Sequence, residues 1–433
     1  MPSTPELYNF PLWSVFPFVA MLLSIAIVPM AIPHWWDSNR NKFLVSFAAS
    51  LPVLAIIVPN APHLLLHSLL DYFSFICLLG ALFIISGGIY IRGEFAGTPL
   101  VNTAFLGIGA ILANIIGTTG ASMLLIRPYM RANHARQRRV HLIVFFIFVV
   151  SNVAGLLTPL GDPPLFLGFL RGVPFQWTLT LLPQWAFAVG FLLVMFNVYD
   201  QYVFNKEDVE TPGALTDDVQ PHRRLHVEGV QNFGFLAGVM SAAILSGYFG
   251  WHRGIQEAIM ISMALLSWFN TPKTVHRANH FHFHPILEVA ALFLGIFVTM
   301  IPALEILNAR AASLNLTAPW QYFWMSGSLS SFLDNAPTYL TFAAMSSGVV
   351  GGRVEDLSTL LRSGLGESLL TAVSCGSVFM GANTYIGNGP NFMVKSIAEH
   401  HGIKMPSFGA YMIYSGLFLI PLFILETWIF FLR

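Results

Sequence analysis

The chain has 433 residues, of which 55% are apolar and only 10% are charged, and its 21 lysines and arginines balance its 21 aspartates and glutamates. Ordinary soluble domains carry about 25% charged residues, so this composition excludes a soluble globular protein, and the zero net charge gives no case for nucleic-acid binding. Repeated apolar runs of about twenty residues instead predict transmembrane helices. The two cysteines, Cys77 and Cys375, lie inside such runs and are expected to act as small apolar side chains. The predicted fold class is an all-α polytopic membrane protein.

Apolar runs and the residues that interrupt them place the predicted helices in chain order. The first half gives 11–32, 43–60, 69–91, a broken segment at 102–131, 140–157 with a continuation at 165–171, and 176–199. The second half gives 229–248, 254–269, 285–307, a broken segment at 319–347, 367–386 with a continuation at 391–400, and 407–431. Charged residues are densest between the halves, at 200–228. We therefore predict a first repeat at 1–199, a cytoplasmic linker at 200–228 and a second repeat at 229–433.

The two halves share more than their number of helices. The run SNVAG at 151–155, leading to GDPP at 161–164, parallels GANT at 381–384, leading to GNGP at 387–390. Each half is predicted to hold about five transmembrane helices, one re-entrant hairpin and one broken helix, which is typical of transporter repeats. If the second half is inverted, most lysines and arginines face the cytoplasm, as the positive-inside rule requires. The protein would then be a multi-pass protein of the cell (inner) membrane with both termini on the non-cytoplasmic side.

Four helix breaks occur at predicted membrane depth, at 117–120, 158–164, 334–337 and 383–390. Such backbone is tolerated only when it is buried in protein or lines a cavity. Hard cations such as sodium prefer carbonyl, hydroxyl and carboxylate oxygens. A purely structural role, in which Pro and Gly kink helices and polar side chains join them, is the alternative. The candidate ion or substrate ligands at the breaks are Thr118, Thr119, Ser122, Thr158, Gly161, Asn335, Thr338, Asn383, Thr384, Asn388 and Asn391.

Asp162 and Asp334 are the carboxylates at these breaks. A charged side chain at the bilayer centre costs about 2.5–3.5 kcal/mol on insertion scales, so it normally faces a cavity and has a function. We predict that both exchange protons for a cation, and that sodium is held by Asp162, Asp334, Thr118, Asn335 and Asn388. A helix N-cap for Asp162 and a structural pair for Asp334 remain as alternatives.

Other motifs carry less information. His276, His280, His282 and His284 form a dense cluster for which a pH sensor, a metal site and no role all remain open. The sequence shows no phosphate-binding loop with Lys-Ser/Thr, no nucleophile elbow and no zinc-protease motif. The predicted protein is therefore not an enzyme, carries no cofactor and uses an ion gradient instead of ATP.

At 114–131, 151–169, 330–338 and 383–391 the chain resembles the ion transporter superfamily, which includes NhaD-type sodium/proton antiporters, arsenite permeases and citrate or dicarboxylate carriers. The pieces TPLGD at 158–162 and SSFLDNAP at 330–337 are most similar to the NhaD-type pattern. This resemblance implies a scaffold that also makes homodimer contacts, and a transport part that moves by an elevator-like mechanism. Dicarboxylate carriers of the superfamily carry Ser-Asn-Thr at the hairpin tips. At the matching places this chain has Gly-Thr-Thr (117–119) and Asp-Asn-Ala (334–336).

Two functional hypotheses follow from these observations. The first is a sodium (cation)/proton antiporter, because an anion would meet Asp162 and Asp334 unfavourably. The alternative is a sodium- or proton-coupled transporter of an organic anion such as citrate or a dicarboxylate. The expected partners are the lipid bilayer and a small ion or organic anion. A membrane enzyme or a passive channel is the third class.

Overall fold

The computed structural model describes residues 9–92, 97–210, 226–249, 251, 254–279, 281–310, 313 and 316–432. The helices of the first half are α1 (Phe16–Ala31), α2 (Pro33–Trp36), α3 (Asn39–Asn60), α4 (Pro62–Gly87), α5 (Pro99–Ala132), α6 (Val140–Val149), α7 (Pro163–Leu170) and α8 (Leu182–Glu210). Those of the second half are α9 (Gln231–Phe249), α10 (Ile255–Asn270), α11 (Lys273–Ala278), α12 (His284–Arg310), α13 (Pro319–Ser330), α14 (Asn335–Val349), α15 (Gly364–Met380), α16 (Gly389–His400) and α17 (Phe408–Glu426).

Within the described ranges, nine helices are long and apolar enough to cross a membrane. The candidate spans Val140–Leu157 and Gly364–Asn383 are 89% and 78% buried inside the protein, whereas Asn39–Asn60 and Phe408–Phe431 are only 22% and 28% buried. The first two therefore form the protein-surrounded centre of the bundle, and the last two turn apolar sides outward, as lipid-facing helices do. This confirms the prediction of an all-α polytopic membrane protein.

Short single-turn segments interrupt the bundle where the sequence predicted breaks. The chain forms 3-10 turns at Val153–Leu157 and Gly381–Asn383, between α6 and α7 and between α15 and α16. Proline follows in the first turn of both α7 and α16. Proline is tolerated there because the first N–H groups of a helix have no intrahelical partner.

The region around the predicted linker differs from the expectation. Helix α8 continues to Glu210 instead of ending near 199, and residues 211–225 lie outside the described part of the chain. Two strands that the sequence did not predict, β1 (Tyr90–Arg92) and β2 (His226–Glu228), pair in antiparallel register. Their pairing depends on residues far apart in the chain, which a local pattern does not show.

A buried charge network explains the length of α8. The Arg136 guanidinium lies 2.8 Å from Asp200 and 2.7 Å from Glu207, both on α8, and its side chain is almost fully buried. His141 at the start of α6 lies 2.8 Å from the same Asp200 oxygen. These contacts hold the end of α8 against the loop between α5 and α6.

Replacing Arg136 with methionine is expected to lower the free energy of unfolding by about 3–5 kcal/mol, because it leaves two buried carboxylates without their cation. Thermal unfolding of the protein in detergent measures the change. R139M, which alters a neighbouring arginine outside this network, is the matched control. Equal unfolding temperatures for the two variants would contradict the assignment.

Candidate functional site

The site begins at a break in α5. Gly117 has φ of +78°, in the left-handed region that favours glycine, and it divides α5 into two parts. The backbone N–H of Thr118 donates to the carbonyl of Gly161 at 2.8 Å. The second part of α5 is thereby joined to the loop between the Val153–Leu157 turn and α7.

Asp162 occupies the centre of this junction and is only 1% exposed. Its Oδ1 accepts a hydrogen bond from the Thr118 hydroxyl at 2.7 Å and one from the Asn388 amide at 3.3 Å. Its Oδ2 accepts from the Asn335 amide. No ion pair involves Asp162 among the described residues. The carboxylate is thus held by three uncharged donors from three other segments.

All four segments begin a helix at this point. Asp162 precedes α7, Asn388 precedes α16, Asn335 is the first residue of α14, and Thr118 starts the second part of α5. A helix N-terminus carries a partial positive charge and free N–H groups, and so it stabilises an anion. Four such ends converge on one buried carboxylate, which explains how that charge is tolerated without a lysine or arginine.

Asp334 has a different environment from Asp162. Its side chain accepts from the backbone N–H of Ala336 at 3.1 Å, so it caps its own helix α14 and is partly exposed. Asp162 stands at the N-cap position of α7 but makes no side-chain cap bond there. The Asp334 side chain thus bonds within its own helix, whereas the Asp162 carboxylate is bonded by other segments. Of the five predicted sodium ligands, the structure brings four into direct contact, and Asp334 adjoins them through Asn335.

Three more of the predicted ligands bond from one break to a neighbouring segment. The Thr158 hydroxyl donates to the carbonyl of Asn114 at 2.6 Å, and the Ser122 and Ser151 hydroxyls lie 2.7 Å apart. Asn383 donates to the Ser331 hydroxyl at 2.9 Å.

Three other candidates act closer to the helix starts. Thr338 donates to the carbonyl of Asp334 at 3.0 Å, and Asn391 donates to the carbonyl of Thr384 at 2.9 Å. Thr119 is partly exposed beside Thr118. None of these three touches Asp162.

The same contacts recur in both halves. The Thr158 hydroxyl bonds to the carbonyl of Asn114 in the first half, and the Thr384 hydroxyl bonds to the carbonyl of Ser331 in the second. In each half a glycine of the broken helix, Gly161 or Gly387, packs directly on the backbone of another glycine. The two halves therefore build their junctions in the same way.

Asn152 was noted in the sequence only as a landmark of the repeat, yet it belongs to the site. Its amide donates to the Asn391 side chain at 2.7 Å, and the adjacent carbonyl of Ser151 accepts from Asn388 at 3.1 Å. The signal that would have identified Asn152 is its amide side chain in an otherwise apolar run, directly before a break.

The site also contains oxygens without partners. The side-chain oxygens of Asn152, Asn335 and Asn383 are buried and accept no hydrogen bond. Buried polar atoms normally have a partner, so these three oxygens are free to accept a hydrogen bond or to ligate an ion. Together with the Asp162 carboxylate, these amide oxygens are the donor set that a hard cation prefers.

The histidine cluster lies elsewhere. His276 packs against the rings of Trp268 at 4.8 Å and Phe281 at 5.3 Å, and its burial lowers the pKa of the imidazole. His282 lines a cavity of about 30 Å³ beside Arg127, and His284 contacts Asn39 at 3.2 Å. His280 lies outside the described residues. The described part of the chain contains no group of three or more His, Cys, Asp or Glu that could hold a metal.

Long apolar helices whose polar breaks meet in one buried cluster define a multi-pass membrane transporter. The family model CitMHS_2, described as "Putative citrate transport", matches residues 7–431 of the chain. The chain belongs to this family. No curated protein matches it. The transporter prediction is confirmed, whereas the NhaD-type specificity suggested by the sequence resemblance is not supported.

Neutralising the two aspartates should separate their roles. D162N is expected to reduce transport to background, because the buried charge on which four helix ends converge is removed. D334N should retain most transport, because asparagine caps a helix about as well as aspartate. The transport rates of the two variants in proteoliposomes measure the difference. Their elution profiles in detergent check that both variants fold. Equal losses would contradict this division.

Gly161 should tolerate no side chain. A Cβ there would overlap the carbonyl oxygen of Gly155, and G161A is expected to lower stability by about 1–3 kcal/mol, as overpacking does. G416A in α17 is the control, since a Cβ at Gly416 meets nothing within 4 Å. Thermal unfolding that is unchanged in G161A relative to G416A would show that this close approach is not required.

Proposed function

We propose that the protein is a cation-coupled secondary carrier of citrate-class organic anions. The observation that carries this proposal is the match to a citrate-transport family over residues 7–431, in a chain whose four helix N-termini meet at one buried site. Helix N-termini bind carboxylates through free N–H groups and the helix dipole. The family match favours this function over the sodium/proton antiport predicted first.

The Asp162 carboxylate defines the need for a cation. A bare organic anion would be repelled by Asp162, and this repulsion is strong where water is excluded. A cation held by Asp162 and the unpaired oxygens of Asn335 and Asn152 removes the repulsion. Cation and anion then each raise the affinity of the other, and this reciprocal effect is the thermodynamic basis of coupled transport.

The recurring junctions support alternating access. The Thr158 hydroxyl bonds to the Asn114 carbonyl beside the kink in α5, and the Thr384 hydroxyl bonds to the Ser331 carbonyl between α13 and α14. In each half these bonds join the first break to the segment that follows it, so the two breaks of a half form one unit. We propose that these units move together past the remaining helices in an elevator-like step. The inverted arrangement of the halves, outward-facing termini, a homodimeric scaffold and residence in the cell (inner) membrane belong to the same proposal.

Sodium/proton antiport is the second candidate. It is favoured by the one observation that Asp162 has no ion-pair partner among the described residues, which leaves its carboxylate free to exchange a proton for a cation. The two functions differ in one observable. An antiporter moves sodium and protons when no organic anion is present, whereas a citrate carrier does not.

Currents on a solid-supported membrane separate these functions. Proteoliposomes are exposed in turn to citrate, succinate, sodium, lithium and potassium, singly and in pairs. The proposal predicts currents that require both citrate and a coupling cation and that vanish in D162N. Sodium-driven proton movement in the absence of any organic anion would contradict it and establish the antiporter.

A further inference from the structure

Glu426 is a buried carboxylate that plays no part in the site around Asp162. It ends α17, it is 0% exposed, and neither of its oxygens has a hydrogen-bond partner. The helix changes to a π-helix at Thr427–Phe431, directly after it. Single π turns inside helices are frequent at functional sites, and an ionisable residue in a membrane helix normally has a function.

The surroundings of Glu426 do not stabilise a charge. From α15 the thiol of Cys375 interacts with it electrostatically. Helix α13 packs on this region through Phe323 and Trp324, and the titratable residue beside them is Tyr322. Its hydroxyl donates to the carbonyl of Leu316 at 3.1 Å. On α8, Phe187 contacts the ring of Phe430 at 6.1 Å. No ion pair involving Glu426 is found in the described ranges, and burial without a partner favours the neutral, protonated form of a carboxyl group.

The contacts beside Glu426 lead to the hairpin. The next residue, Thr427, accepts from the indole N–H of Trp324 on α13 at 2.9 Å. The ring of Phe323 on α13 lies 6.1 Å from Phe423 and 4.9 Å from Phe431, on either side of Glu426. Helix α13 is the arm that leads to Asp334 and Asn335. The arm therefore packs against the residues on both sides of Glu426.

We propose that Glu426 is a proton-binding site that couples proton movement to the transport cycle. The carboxyl binds a proton while α13 is packed on α17 and releases it to water when the arm moves away. The proton is thus a driving ion with its own site, separate from the cation site at Asp162. The coupling of this proton to a substrate rests on the proposed function. The protonation of Glu426 does not depend on it.

Transport in proteoliposomes tests the coupling. Wild-type protein should accumulate labelled citrate faster when a pH gradient is imposed, and should also exchange internal for external citrate without a gradient. E426Q, which is permanently neutral, should keep the exchange and lose the acceleration by the pH gradient. E399Q is the control, because Glu399 is an exposed carboxylate that pairs with Lys395 at 2.9 Å. Acceleration that persists in E426Q, or that is absent from the wild type, would overturn the proposal.

Infrared spectroscopy tests the protonation without any substrate. The wild-type protein and E399Q should show a protonated-carboxyl stretching band that E426Q lacks, with the amide bands unchanged. If the band is the same in wild type and E426Q, Glu426 does not carry the proton. Absence of citrate transport in the wild type would instead refute the proposed function, and it would leave the infrared result to stand by itself.

Discussion

The structure depends on one interaction, the convergence of four helix N-termini on the buried carboxylate of Asp162. A lone carboxylate in an apolar bundle is costly, and here uncharged donors and helix ends take the place of a basic side chain. Thr118, Asn335 and Asn388 each start or precede a different helix, so the single Asp162 side chain links the start of α7 to the starts of three other helical segments. The breaks in the helices are required for this arrangement, since an unbroken helix has no free N–H groups at its centre.

The same arrangement relates structure to transport. Neutral donors hold the carboxylate, and the Asn335 amide that bonds to it has an unpaired side-chain oxygen. A cation is therefore expected at the site before an organic anion, and the energy of binding one ligand depends on the other. Glu426 lies on a different helix pair, against the arm that leads to Asn335. Its proposed role would connect a proton to the movement of that arm, whereas the proposed role of Asp162 is to connect a cation to the substrate.

Much of this site could be predicted from the sequence, because polar and helix-breaking residues interrupt runs that are otherwise apolar. Asp162, Thr118 and Asn388 stand out as polar residues beside Gly or Pro within apolar runs, Asn335 lies two residues before a Pro, and the structure brings the four together. The difference in bonding between Asp334 and Asp162 was not predictable, because it depends on the backbone N–H of Ala336, which bonds to Asp334. The network of Arg136 with Asp200 and Glu207, the pairing of β1 with β2, and the isolation of Glu426 all arise from contacts between distant segments. Local periodicity carries no information on such contacts. The family match favours the organic-anion alternative over the cation/proton antiporter, and neither pattern in the sequence could separate the two.

The most direct test of the central claim is the affinity of the purified protein for citrate, measured by calorimetry with and without a coupling cation. If the cation and the anion meet at Asp162, a cation raises citrate affinity in the wild type and D162N abolishes this increase. Citrate affinity that is independent of every cation tested, or equally cation-dependent in D162N, would contradict it.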